Sequence, residues 1–214
     1  MIIDFRLYLI TDRKQTKLPL PEAIRLALQG GIRAVQLREK DLPVRELLAL
    51  AQELRKITKE FGAKLFINDR VDIAVAADAD GVHLGHQSIP AYAVRKIIGE
   101  NMLIGVSTHN VHEAMEAEKS GADFITFGPI FETPSKVKSG NPVGCSAIDM
   151  IKNSIGIPIF GLGGIRSGNL YDVMAAGAYG IAMISAILSA DDIQKAAEDM
   201  NRRIGETVKG WGSV

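Results

Sequence analysis

Arg38 and Lys40 stand two residues apart at the end of the run Ala34-Val35-Gln36-Leu37, with Glu39 between them. A guanidinium offers a rigid fork of donors and an ammonium a compact charge, a pair suited to phosphate or pyrophosphate. A strand buried on both faces should read Val/Ile/Leu-rich throughout. Ending one on two cations aims positive charge beyond its tip. A solvated strand end closed by a surface ion pair would read the same in isolation, so the decision rests on what surrounds it. Asn68-Asp69 end another apolar run, and Asp69 is the type of carboxylate that Mg²⁺ takes when phosphate oxygens complete its shell. Gly161-Leu162-Gly163-Gly164-Ile165 leaves backbone N–H groups open, and Ile184-Ser185 follows at the next strand end. A phosphate between two such ends is a recurrent barrel device, although a tight turn needing glycine explains the pattern alone. Glu132 to Pro142 is the longest irregular stretch, and Thr133, Ser135 and Lys136 in it suit a lid over phosphate. Arg38, Lys40, Asn68 and Lys136 thus form one anion-binding region, and Gly163, Gly164 and Ser185 another. Two anionic groups with a metal suggest transfer between a pyrophosphorylated donor and a phosphorylated acceptor.

These residues need a scaffold that gathers strand ends. Short apolar runs recur at Leu7–Ile10, Ala34–Leu37, Leu65–Ile67, Gly81–Leu84, Leu103–Val106, Phe124–Phe127, Pro158–Leu162 and Gly180–Ile184. Segments with helical spacing lie between them. Leu47, Leu50, Leu54, Ile57 and Phe61 mark one face of a helix over Val44–Phe61. The last helix is expected to start near Asp191, capped by Asp191 or Ser189, and to fray after Gly205. Gly30-Gly31, Gly62, Gly121 and Gly177 sit where a helix should end and the chain re-enter the sheet. About eight strand–helix units close a (β/α)8 barrel. An open doubly wound sheet shows the same alternation; the even march of units and the lack of a linker favour one α/β TIM-barrel domain over residues 1–214. In a barrel the strands' carboxyl ends form the mouth, and the polar residues collect there: Thr11-Asp12-Arg13, Arg38-Glu39-Lys40, Asn68-Asp69-Arg70, His83 and His86, Ser107-Thr108-His109, Thr133, Gly163-Gly164 and Ser185.

The bulk properties narrow the partners. Lys+Arg and Asp+Glu balance at 25 each, so there is no electrostatic case for nucleic acid or an anionic membrane. The single Cys145 points to a reducing compartment. No apolar run approaches the ~20 residues that span a bilayer, and the amino terminus lacks a signal-peptide pattern. The expectation is a soluble cytoplasmic protein with small-molecule partners; oligomeric state is not legible, and a homo-oligomer stays open. His83 reads equally as a hydrogen-bonded core residue or a substrate contact, and His112 as a surface residue. No His/Cys/Asp grouping has zinc spacing.

The phrases Tyr8-Leu-Ile-Thr-Asp12, Gln36-Leu-Arg-Glu-Lys40, Ile67-Asn-Asp-Arg-Val-Asp72, Asp80-Gly-Val-His-Leu-Gly85, Gly105-Val-Ser-Thr-His109, Phe127-Gly-Pro-Ile-Phe131 and Gly163-Gly-Ile165 closely resemble the thiamine phosphate synthase/TenI superfamily of small barrels, along nearly the whole chain. The resemblance implies a synthase that joins hydroxymethylpyrimidine pyrophosphate to thiazole phosphate and releases pyrophosphate. It assigns the pyrophosphate to Arg38, Lys40, Asn68 and Lys136, and Mg²⁺ to Asp69. It assigns the pyrimidine to Gln36, His83 and Ser107, and the thiazole phosphate to Thr133, Ser135, Gly164, Ile184 and Ser185. Two departures matter. Synthases usually carry an Asp where this chain has Ser88, so a second metal carboxylate is missing. The TenI branch, whose members aromatise a thiazole phosphate, carries a His where this chain has Pro129. Retention of the Arg38, Lys40, Asn68, Asp69 and Lys136 cluster favours the synthase. A tautomerase using His86 or His109 and a non-catalytic thiazole or thiamine phosphate-binding protein are the alternatives.

Overall fold

The apolar runs become eight parallel strands: β1 (Leu7–Ile10), β2 (Ala34–Leu37), β3 (Lys64–Asn68), β4 (Gly81–Leu84), β5 (Leu103–Thr108), β6 (Phe124–Phe127), β7 (Ile159–Leu162) and β8 (Gly180–Met183). The structure is a computed structural model and describes residues 2–85, 87–133 and 141–211, the side chains of 209–211 excepted. Each strand pairs with the next, and β1 closes on β8 through Leu7↔Ile181, Tyr8↔Ala182 and Leu9↔Met183. That closure makes the fold a (β/α)8 barrel and excludes the open sheet. The helices are α1 (Leu20–Gln29), α2 (Val44–Glu60), α3 (Val71–Ala76), α4 (Ala91–Ile98), α5 (Val111–Lys119), α6 (Cys145–Ile151), α7 (Leu170–Ala175), α8 (Ser185–Leu188) and α9 (Ile193–Trp211). Gly31, Gly62, Gly121 and Gly177 take positive φ as the chain turns back into the sheet, which only glycine does without strain.

Side chains alternate across a strand, so each run feeds two cores. Outward residues such as Leu9, Val35, Leu65, Ile67, Val82 and Ile125 pack against the helices. Inward residues Tyr8, Ile10, Ala34, Phe66, Phe124, Phe160 and Ala182 fill the barrel, with Ile3 and Phe5 closing its amino-terminal end. The rings of Phe66 and Phe124 meet edge-on at 5.4 Å, as do those of Phe124 and Phe160; such pairs add about 0.5–1.5 kcal/mol each beyond their area. Gly105 supplies room, since a Cβ there would come within 2.5 Å of both His83 Nδ1 and the Phe124 ring.

The last helix differs from its expected form. Its amino end is capped by Asp192, whose Oδ1 accepts from Lys195 N at 2.9 Å, rather than by Asp191 or Ser189. Asp191 instead pairs with Lys17 at 2.7 Å. The helix runs through Gly205 to Trp211, with the Arg202–Glu206 pair, one turn apart at 2.6 Å, spanning the glycine. No helix among the described residues is long and apolar enough to cross a membrane.

Candidate active site

Strand alternation continues past the end of β2 and sorts its charged tip. Gln36, Arg38 and Lys40 all line a cavity of about 220 Å³ at the mouth. Glu39 turns the other way and is 4 % exposed. Its carboxylate accepts from Thr11 Oγ1 at 2.8 Å, Arg13 N at 3.0 Å and Arg13 Nη1 at 3.0 Å. Thr11 Oγ1 in turn accepts from Arg38 N at 2.9 Å, tying the ends of β1 and β2. Arg13 also grips Asp41, holding that carboxyl well below the usual range. The acid between the two cations is therefore used up on Arg13. Arg38 keeps its guanidinium without a hydrogen-bond or ion-pair partner among the described residues.

Asn68, from β3, lines the same cavity. Asp69 follows in the left-handed region (φ 60°), which Asp tolerates better than most residues. Its carboxylate accepts from Asn68 Nδ2 at 2.8 Å, from Gly85 N at 3.1 Å and from the Ser88 hydroxyl, and Lys40 Nζ lies 3.9 Å away. Partial burial pushes the Asp69 carboxyl up, but these donors and the lysine outweigh it and hold it below its ordinary value. Ser88 thus takes one acceptor site on Asp69 Oδ1 with a neutral hydroxyl.

The floor is a buried polar network. Gln36 Nε2 donates to Tyr8 Oη at 3.1 Å, and Tyr8 Oη lies 3.4 Å from His83 Nδ1. His83 Nε2 lies 3.0 Å from Ser107 Oγ, and Thr126 Oγ1 donates to Ser107 Oγ at 3.4 Å. Full burial lowers His83 to about 3, so its imidazole is neutral. Tyr8 and Thr126 escape a reading of strand ends because they lie within their strands. Their inward registers, beside Gln36 and His83, are the signal that marks them.

A second cavity of about 420 Å³ is lined by Thr133, Gly163, Gly164, Ile184 and Ser185. Leu162 and Ile184 line both cavities, so the two are contiguous. Gly163 and Gly164 have φ of 100° and 64°, and the segment 129–132 passes over them. A Cβ on Gly164 would lie 2.5 Å from Glu132 O. Asn169, which sequence reasoning passed over, staples this turn by donating to Gly164 O at 3.0 Å and accepting from Arg166 N at 2.8 Å. In α8 the Ile187 and Leu188 N–H groups donate to Ile184 O at 3.3 and 3.0 Å.

The structure therefore brings Gln36, Arg38, Lys40, Asn68, His83 and Ser107 to one wall and floor, and Thr133, Gly163, Gly164, Ile184 and Ser185 to the adjoining corner. Asp69 stands at the rim. Ser135, Lys136 and most of the expected lid lie outside the described residues, as does His86. His109 is held by Glu113 at 3.0 Å, in a capping arrangement where Asn110 Oδ1 accepts from Glu113 N. His112 is exposed on α5.

Comparison with known proteins identifies the family to which this barrel belongs. A structure of thiamine phosphate pyrophosphorylase from Pyrococcus furiosus superposes with a TM-score of 0.88 at 39 % identity, covering 95 % of this chain and 97 % of that one. Thiamine-phosphate synthase of Chloroflexus aurantiacus is 43 % identical over 207 residues, covering 96 % of this chain and 95 % of the relative. A Geobacter sulfurreducens relative that carries the same name provisionally is 53 % identical over 196 residues, or 91 % of this chain and 92 % of that one. The model of the thiamine monophosphate synthase family matches residues 7–187, and the chain belongs to that family.

Proposed function

We propose that the contiguous cavities hold hydroxymethylpyrimidine pyrophosphate and thiazole phosphate, and that the chain is the transferase that joins them. The observation that carries this reading is Arg38, left without an ion-pair partner among the described residues, beside Lys40 on one wall of a cavity that shares Leu162 and Ile184 with the glycine corner. The pyrimidine lies on the floor of Gln36, His83 and Ser107. Its pyrophosphate lies along Arg38, Lys40 and Asn68; the resemblance adds Lys136, which lies outside the described residues. The thiazole phosphate occupies Thr133, Ser135, Gly163, Gly164, Ile184 and Ser185.

The C–O bond to the pyrophosphate breaks first, and both electrons leave with the phosphate oxygen. Arg38 and Lys40 stabilise that charge as it develops. The thiazole nitrogen then gives its lone pair to the cationic methylene carbon, forming the C–N bond and a thiazolium. No proton changes hands. This suits a floor whose imidazole is neutral and already engaged, and makes positioning and charge stabilisation the catalytic devices.

Mg²⁺ fits the donor set as a cation held by one carboxylate. Asp69 is a hard oxygen ligand beside the pyrophosphate wall, and no group of three or more His, Cys, Asp or Glu among the described residues forms a metal cage. Substrate oxygens and water would complete its shell, and the ion would supply charge neutralisation to the leaving group. A thiazole tautomerase would leave Arg38, Lys40 and Asn68 without work; of the histidines weighed for it, His109 lines the same cavity and is held by Glu113, and His86 lies outside the described residues. The test is release of pyrophosphate on mixing both substrates with Mg²⁺. Absence of release at saturating substrate and metal would overturn the reading.

A further inference from the structure

The cavity at the glycine corner is lined mainly by neutral groups. Thr133, Ser185 and Ser189 bring hydroxyls, and Gly163 and Gly164 bring backbone. Among the described residues of that lining, Arg166 is the one cation and Glu132 the one carboxylate. The arginine's backbone is fixed. Arg166 N donates to Asn169 Oδ1 at 2.8 Å, and Arg166 O accepts from Asn169 N at 3.1 Å and from Leu170 N at 3.0 Å. Asn169 Nδ2 donates to Gly164 O at 3.0 Å, so the stem of the arginine is tied to the glycine turn. Its head is not. Arg166 is exposed, and its guanidinium has no hydrogen-bond or ion-pair partner among the described residues, Glu132 included. Two other described arginines share that state. One is Arg45, exposed on α2 and in the lining of neither cavity, and the other is Arg38. Every remaining described arginine bonds a carboxylate or a carbonyl.

We propose that Arg166 is a specificity-determining residue of the glycine corner, closing its fork of donors on the monophosphate of the acceptor substrate. Arginine–phosphate contacts are charge-assisted and often bidentate, and are stronger than those of neutral donors. Arg38 and Lys40 then meet the more highly charged pyrophosphate, and the single Arg166 meets the monophosphate, so that charge helps to sort the two substrates between contiguous cavities. Because the guanidinium is exposed, salt screens its pull. This inference rests on the reading that the corner takes the thiazole phosphate, and deepens it.

The experiment follows pyrophosphate release against thiazole phosphate concentration, at saturating pyrimidine pyrophosphate and Mg²⁺. Arg166→Ala should raise the KM for thiazole phosphate roughly tenfold, the low end for a lost hydrogen bond to a charged group. The KM for the pyrimidine pyrophosphate should stay at its native value. Arg166→Lys keeps the charge without the fork and should recover part of the loss. Added salt should raise the native KM for thiazole phosphate more steeply than that of Arg166→Ala. An unchanged KM in Arg166→Ala, an equal loss for both substrates, or an Arg166→Lys no better than Arg166→Ala would overturn the contact. So would full recovery on adding Glu132→Gln to Arg166→Ala, which would make Arg166 a counter-charge to Glu132 and not a phosphate ligand. No pyrophosphate release by the native chain would instead refute the assignment of the corner on which the inference stands.

Discussion

The two ends of the barrel use the same charged residues in opposite ways. At the amino-terminal end, cations are ion-paired within the fold, although Arg55 Nε stays buried without a hydrogen-bond partner among the described residues. Arg55 meets Asp80 at 2.6 and 3.3 Å, while Asp80 also accepts from Leu65 N at 2.7 Å. Arg95 meets Asp123 at 2.7 Å, while Asp123 accepts from Ile104 N at 2.6 Å. In each case an Asp just before one strand ties down the first residues of its neighbour. Arg6 donates to Tyr179 O at 2.7 Å and lies 4.3 Å over its ring. At the carboxyl-terminal mouth, Glu39 is diverted to Arg13, Lys40 keeps only a 3.9 Å contact with Asp69, and Arg38 is left unpaired facing a cavity. Pairing a charge stabilises a fold, and leaving one unpaired beside a cavity reserves it for a ligand. The contrast lies in the partners and not in the residue types.

The largest expected break of this contrast is at the mouth. Arg38→Ala should lower turnover by roughly 10²–10³-fold, the usual cost of losing one preorganised charge-stabilising donor. Its melting temperature should stay within a degree or two of native, because no described group depends on that guanidinium. The mirror experiment is Asp80→Ala, which strands a mostly buried Arg55 and the Leu65 N–H. After discounting for partial exposure, it should cost about 2–3 kcal/mol, lowering the midpoint by roughly 5–10 °C. Turnover per folded molecule at 25 °C should not change; a large drop there would erase the distinction between the two ends.

A smaller effect comes from the floor. His83 titrates near 6.5 when unfolded and about 3 when folded. Between those values the unfolded chain binds a proton that the folded chain refuses. Stability therefore falls as the pH drops through that window, by ~1.4 kcal/mol per unit. Urea melts at pH 7 and pH 5 should differ more for the native chain than for His83→Gln; equal differences would mean that the imidazole is not buried neutral. The smallest effect is at the rim. Ser88→Asp should tighten Mg²⁺ binding roughly tenfold by adding a second carboxylate beside Asp69. Calorimetry with the metal and pyrophosphate checks this, and an unchanged affinity would place Ser88 away from the ion.

Much of the framework was legible because burial writes directly into composition. The apolar runs match the strands within a residue or two, and the glycines at 31, 62, 121 and 177 mark the turns. The polar mouth was legible as a set, since a barrel brings every strand's carboxyl end to one face. Pairing was not. Asp192 and Asp191 are equally good caps on paper, and only the docking of Lys17 against Asp191 separates their uses. Tyr8 and Thr126 looked like ordinary members of apolar strands, because their partners are supplied by strands far away in sequence.

By itself the sequence determined where strands and helices form, which residues crowd the mouth, and that a phosphate chemistry suits them. These follow from local spacing, apolar periodicity and residue type. The tertiary structure decided that the sheet closes, that Glu39 serves Arg13 and not its sequence neighbours, and that Tyr8 links Gln36 to His83. Those outcomes depend on inter-strand register. A residue's partner across a barrel is set by the stagger of the strands, which no local window of the chain contains.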